Sequence, residues 1–236
     1  MVTVALIGAD GAGKTTVARA LERSSEIPIK YLYMGINVDA SNHMLPTTRM
    51  ARALKRALGR SRDQGGPPDP SRARTRAKNP FKRALRGVKS SLSLTNRLCE
   101  EWYRQMIAWW YERRGYVVLF DRHFYADYYA HDVAGQGGDA SFSRRIHGRV
   151  LQRLYPSPDL VILLDAPSSV LFARKQEGTV ELLERRRQEY LDLKPKLANC
   201  AVVDAARPQD EVLREVLTII RAEGADAARP ARGRRA

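Results

Sequence analysis

Cysteine is scarce in this chain: Cys99 and Cys200 are the only two among 236 residues. They lie far apart in apolar contexts, so no disulfide framework is expected, and both read as buried free thiols of a cytosolic protein. The four histidines are scattered, and neither they nor the cysteines have metal-ligand spacing. Long apolar runs are missing: nothing approaches eighteen uninterrupted apolar residues, which argues against a helical membrane span. The opening "MVTVALIG" lacks a basic leader and reads as a strand, so a cytoplasmic location is expected. Acidic residues are nearly absent from 49–97, where fifteen Lys and Arg face only Asp63 and Asp69. That excess of thirteen is almost the whole net charge of +15. A local basic block calls for a polyanion, an anionic membrane surface or a solvated arm. Base-stacking aromatics are missing from 50–80, which weighs against nucleic acid.

What is present is a regular alternation. Apolar segments at 2–7, 27–35, 116–123, 158–166 and 199–205 read as strands. Helical spacing occupies 15–23, 45–59, 94–115, 141–155, 168–175, 179–193 and 210–222, with Thr179 as a cap. Apolar strands alternating with helices predict an α/β fold: about five strands in a mostly parallel sheet, with helices on both faces. One domain is expected over 1–223, carrying an insertion at about 40–93 whose 59–80 stretch is too polar to pack. The end, 224–236, reads as a disordered basic tail.

Sites in such sheets lie beyond the carboxyl ends of the strands, where Gly8, Asp121 and Asp165 fall. The stretch "GADGAGKTT" has the P-loop spacing: Gly8, four residues, then Gly13-Lys14-Thr15. Backbone N–H groups of Gly8, Ala9, Asp10, Gly11, Ala12, Gly13, Lys14, Thr15 and Thr16 can cradle phosphate. Lys14 can reach the outer phosphates, the Thr15 hydroxyl can ligate Mg²⁺, and the following helix aims its positive end at the same anion. Asp121, closing "VVLF", is placed to support the metal, and Arg122 offers a cation to a second anion.

These residues together resemble the thymidylate kinase family of P-loop nucleoside monophosphate kinases. "GADGAGKTT" resembles its P-loop, acidic residue included at Asp10. "DRH" at 121–123 is similar to its Asp-Arg-Tyr/His motif, and "PDLVILLDA" to its fourth strand. "RRRQEYLDL" resembles the helix after its lid, and "VVDAARPQDEV" its final strand and adenine-side loop, which includes Arg207. The resemblance covers roughly 1–35 and 98–222 and implies the three-layer P-loop fold and phosphoryl transfer from ATP. It implies that Lys14, Thr15 and Asp121 serve ATP and Mg²⁺, and that Arg122 serves the acceptor's phosphate. Arg104, with Arg97 as a substitute, would be a second phosphate ligand. Arg174 and Lys175 stand where the family has its lid, with Arg185 and Arg187 as weaker candidates. A homodimer is compatible with this family.

The acceptor side departs from the pattern. Where the family carries Arg-Glu-Pro after its second strand, this chain reads "YLYMGINVDASN", without arginine and with Asp39 nearby. In "FYADYYAHD", Ala126 stands where serine is common and His131 where glutamine is common. Nucleoside monophosphates, dTMP by default, are the acceptors the resemblance implies. A hydroxyl acceptor on a nucleoside or sugar stays open, with Asp39 as its base. A nucleotide-regulated protein that docks nucleic acid through its basic insertion is the third reading.

Overall fold

The computed structural model describes residues 2–23, 27–35, 41, 43–57, 80–123, 154–176, 178–197 and 199–228, with backbone alone at 51, 52, 55, 56, 80–94 and 226–228. Five strands form one all-parallel sheet: β1 (Thr3–Ile7), β2 (Ile29–Tyr33), β3 (Val117–Asp121), β4 (Leu160–Asp165) and β5 (Cys200–Asp204). Their order is β2-β3-β1-β4-β5. The helices are α1 (Lys14–Arg23), α2 (Pro46–Ala57), α3 (Pro80–Arg113), α4 (Ser168–Lys175), α5 (Val180–Leu191) and α6 (Gln209–Ala228).

Every residue of β1 is buried, because the strand is central and covered on both sides. Its side chains alternate between two cores. Val4 and Leu6 join Val17, Ala18 and Leu21 of α1 and Val212, Val216 and Ile220 of α6. Ala5 and Ile7 face the other way, into clusters holding Ala108 of α3 and Tyr190 of α5. This is the expected three-layer α/β arrangement.

The register sets the site. Leu6 pairs with Asp121 and Ile7 with Leu163, so the loop after β1 emerges between the ends of β3 and β4. Gly8 makes that exit feasible. Its φ is +141°, and a Cβ there would sit 2.4 Å from the Leu164 carbonyl oxygen. Gly8→Ala is expected to lower unfolding free energy by about 2–4 kcal/mol, since main chain must move at the sheet's centre. Urea unfolding checks this, and an unchanged midpoint would contradict it.

Three expectations change. The long helix starts at Pro80, fourteen residues before the expected 94. Proline suits a first helical turn, and Phe81, Leu85, Val88 and Leu92 recur at helical spacing despite the basic composition. The last helix runs on to Ala228 rather than stopping at 222, carried by the alanines of "AEGADAA". The thiols are not buried: Cys99 is exposed and Cys200 is half-buried. Glu100, Glu101, Arg104 and Gln105 are the buried residues on that part of α3, so Cys99 faces outward. Most of the expected 59–80 loop and 141–155 helix, and the tail beyond 228, lie outside the described residues.

Candidate active site

The P-loop and the residues beyond β3 and β5 enclose a cleft of about 470 Å³. It is lined by loop residues 10–17 together with Arg122, Arg174, Lys175 and Arg207. Gly13 has φ +86°, and its Cβ position is open, so the loop leaves space above its N–H groups. Lys14 is buried, its ammonium donating to the carbonyls of Gly8 at 2.9 Å and Ala9 at 2.8 Å. The lysine thus lies along the rim of the loop, where phosphate oxygens would compete for it.

Asp121 is fully buried at the end of β3. Its Oδ2 accepts from the Thr15 hydroxyl at 2.5 Å and the Tyr31 hydroxyl at 3.1 Å. Burial, then the Asp121 carboxylate, raises the Tyr31 hydroxyl far above its ordinary range, so Tyr31 stays a donor. Asp121 Oδ1 has no hydrogen-bond partner among the described residues. A buried carboxylate oxygen left in that state beside a P-loop threonine suits a hard cation with oxygen ligands. Thr15 and Asp121 therefore fit the Mg²⁺ that the motif implies.

The next residue turns the other way. Arg122 has φ +66°, a left-handed conformation that is costly for a non-glycine residue and found at functional sites. Its guanidinium donates to Asp10 Oδ1 at 2.7 Å across the P-loop. A Cβ at residue 35 would stand 2.7 Å from Arg122 Cδ, so Gly35 leaves room for that path. Asp10 Oδ2 accepts from Arg186 at 2.8 Å, and the Lys175 ammonium stands 4.0 Å from Oδ1. Burial alone would raise the Asp10 carboxyl, but Arg122 and Lys14 more than offset it and hold it down to about 2. Three cations around one carboxylate leave the cluster net positive, as an anion site requires.

The other arginines divide. Arg174 reaches the Ala205 carbonyl at 2.9 Å and spans the cleft. Arg207 pairs with Glu215 and lies 3.9 Å from Asp204. Arg187 makes a two-pronged pair with Asp165 at 2.7 and 2.9 Å, tying α5 to the end of β4. Arg185 pairs with Glu189 at 3.2 Å on the exposed face of α5. Arg104 is buried and donates to the Gly35 carbonyl at 3.1 Å, just past the carboxyl end of β2, and does not line the P-loop cleft. Arg97 lies 3.4 Å from Glu101 on α3. Asp39 and His131 lie outside the described residues.

No family model matches the chain. Over 110 residues it is 33% identical to a probable thymidylate kinase 1 of Saccharolobus solfataricus, covering 44% of this chain and 54% of that one. Over 120 residues it is 34% identical to a probable thymidylate kinase of Pyrobaculum aerophilum, covering 46% and 56%. Another, from Archaeoglobus fulgidus, is 31% identical over 116 residues, covering 45% and 54%. Over that stretch the chain is similar to proteins named probable thymidylate kinases. It spans about half the length of these curated relatives.

Arg186 is not legible as a site residue in the sequence, although both its neighbours are candidates. "ERRRQE" looks like an exposed charged face, and a 3.6-residue period cannot say which arginine crosses to Asp10. His123 was legible only as part of the Asp-Arg-His motif. It leaves the cleft altogether, packing between Phe120 at 5.4 Å and Tyr155 at 5.7 Å between ring centroids. Burial lowers its pKa from 6.5 to about 3. Across that window the unfolded chain binds a proton that the folded chain refuses, so stability falls as pH falls. The slope contributed approaches about 1.4 kcal/mol per pH unit. Replacing His123 with Phe should flatten the stability profile between about pH 6 and 4, as measured by urea unfolding at several pH values. An unaltered slope would show that His123 is not its source.

Proposed function

We propose that this chain is an ATP- and Mg²⁺-dependent phosphotransferase acting on a nucleoside monophosphate, with dTMP the default acceptor. The observation that carries the reading is the meeting of Lys14, Thr15, Asp121 and the Asp10–Arg122 pair around one cleft. The names of the relatives support the same acceptor, as does the Asp-Arg-His motif.

In this reading the P-loop N–H groups hold the ATP phosphates, and Lys14 exchanges its two carbonyl contacts for phosphate oxygens. Bound Mg²⁺, held by Thr15 and Asp121, supplies charge neutralisation on those phosphates. Arg122, held by Asp10 at the same rim, orients the acceptor's phosphate against the donor. Arg174 and Lys175 stabilise charge on the transferring group, and Arg207 flanks the adenine side of the cleft. Such a reaction requires no protein base, because a monophosphate oxygen is already ionised near neutral pH.

A second reading is favoured by one observation: β2 runs into Tyr33-Met34-Gly35 without an arginine, and Arg104 bonds to main-chain carbonyls there. A hydroxyl acceptor would then need a base, and Asp39 is the candidate. ADP release measured against dTMP, other nucleoside monophosphates, nucleosides and sugars separates the two. Asp39→Asn should leave turnover nearly unchanged if the acceptor is a monophosphate. A kcat loss of about 10²–10⁴-fold with ATP binding intact would replace it with the hydroxyl.

A further inference from the structure

Among its described side chains, helix α2 turns its large apolar residues outward, against the usual rule. An amphipathic helix on a globular protein lays its apolar stripe against the core. Among its described side chains Thr48 is the buried one, and its hydroxyl donates to Asn96 Oδ1 of α3 at 3.3 Å. Just before the helix, the Leu45 N–H donates to the Glu100 carboxylate at 3.2 Å. These polar contacts fasten the helix to α3, while Met50 is 72% exposed and Leu54 62% exposed. Ala53 and Ala57 are exposed too. At 100° per residue these four side chains share one stripe roughly 100° wide.

The same helix carries Arg49, Arg52, Lys55 and Arg56 and no acidic residue. It sits at the start of the 49–97 segment with its fifteen cations. We propose that α2 docks this protein onto the surface of an anionic phospholipid bilayer, Met50 and Leu54 entering the acyl boundary while Arg49, next to the stripe, and other cations of the 49–97 segment meet headgroup phosphates. The helix would lie in the interface, since no helix among the described residues is long and apolar enough to cross a membrane.

Charge complementarity selects this occupant. A second copy is disfavoured because apposing two such helices would bring two strongly basic segments together. Nucleic acid would reward the cations but not the outward methionine and leucine, and residues 46–57 hold no aromatic side chain to stack on a base. An anionic bilayer rewards both halves of the pattern at once. Two large apolar side chains make a shallow anchor, so binding should be reversible and should need the electrostatic half.

The test is sedimentation of the full chain with vesicles of phosphatidylcholine alone, and with phosphatidylcholine containing about 30% phosphatidylserine. Binding to the anionic vesicles, weakened by salt, and little binding to the neutral ones is expected. The double variant Met50→Ser/Leu54→Ser should lower partitioning at least about tenfold, with the thermal midpoint unchanged. Leu54→Ser alone should give a smaller loss in the same direction, which keeps the test sound if the pair folds poorly. Equal binding of parent and variants to anionic vesicles would overturn the insertion of the stripe. Absence of vesicle binding by the parent would overturn the proposal, and polynucleotide binding or self-association lost in the variants would then name the occupant. None of these outcomes depends on which acceptor the cleft takes.

Discussion

Lys14→Ala is expected to lower kcat by about 10³-fold while the protein still folds cooperatively. The ammonium is buried at the rim of the loop, 2.9 and 2.8 Å from two of the loop's own carbonyls. It is therefore held in place before any nucleotide arrives, and a preorganised cation acts on charge that grows in the transition state. Alanine removes it and leaves the Gly8 and Ala9 carbonyls facing the cleft, where water can reach them. The stability cost should stay near about 1–2 kcal/mol, because no apolar contact of the core is lost. Coupled ADP release and thermal unfolding, measured on the same preparation, check both halves. Unchanged turnover in a folded variant would remove the P-loop assignment.

Asp121→Asn should rank second, with a kcat loss of about 10²–10³-fold and a marked rise in the Mg²⁺ concentration needed for half-activation. Thr15 and Tyr31 both donate to Oδ2, so an asparagine oxygen can keep those two bonds. The amide nitrogen must then occupy the buried Oδ1 position, which makes no hydrogen bond among the described residues in the native protein. That should cost about 1–3 kcal/mol of stability and repel a cation at the same place. Magnesium titration of ADP release, beside urea unfolding, separates the two effects. A variant with normal magnesium dependence would place the metal elsewhere.

The two halves of the cleft differ in how readable they were. The P-loop half is built from residues adjacent in sequence, and backbone geometry alone makes a Gly-rich turn between strand and helix a phosphate cradle. The remaining contacts around it join residues far apart: Asp10 with Arg122 and Arg186, Arg174 with the Ala205 carbonyl. Those pairs depend on which strands neighbour one another, and the order β2-β3-β1-β4-β5 is not written in any local pattern. Arg104 shows the limit. Its spacing on α3 says only that it shares a helix face; that its guanidinium reaches the Gly35 carbonyl just past β2 depends on how α3 packs across the sheet.

By itself the sequence determined the alternation of strand and helix, the loop at Gly8–Thr16, and the carboxylates closing β3 and β4. Each follows from short-range causes: period, glycine conformation and the apolar run that must be covered on both sides. Tertiary structure alone decided three other things. It sent the consecutive residues Asp121, Arg122 and His123 to Thr15, to Asp10 and into the core. It chose Arg186 over its two neighbours to reach the P-loop. It also turned the apolar stripe of α2 outward. Periodicity fixes how wide a helix's apolar stripe is, but the direction in which the stripe points is set by what the opposite side can bond to. Here that is Asn96, on the flank of α3.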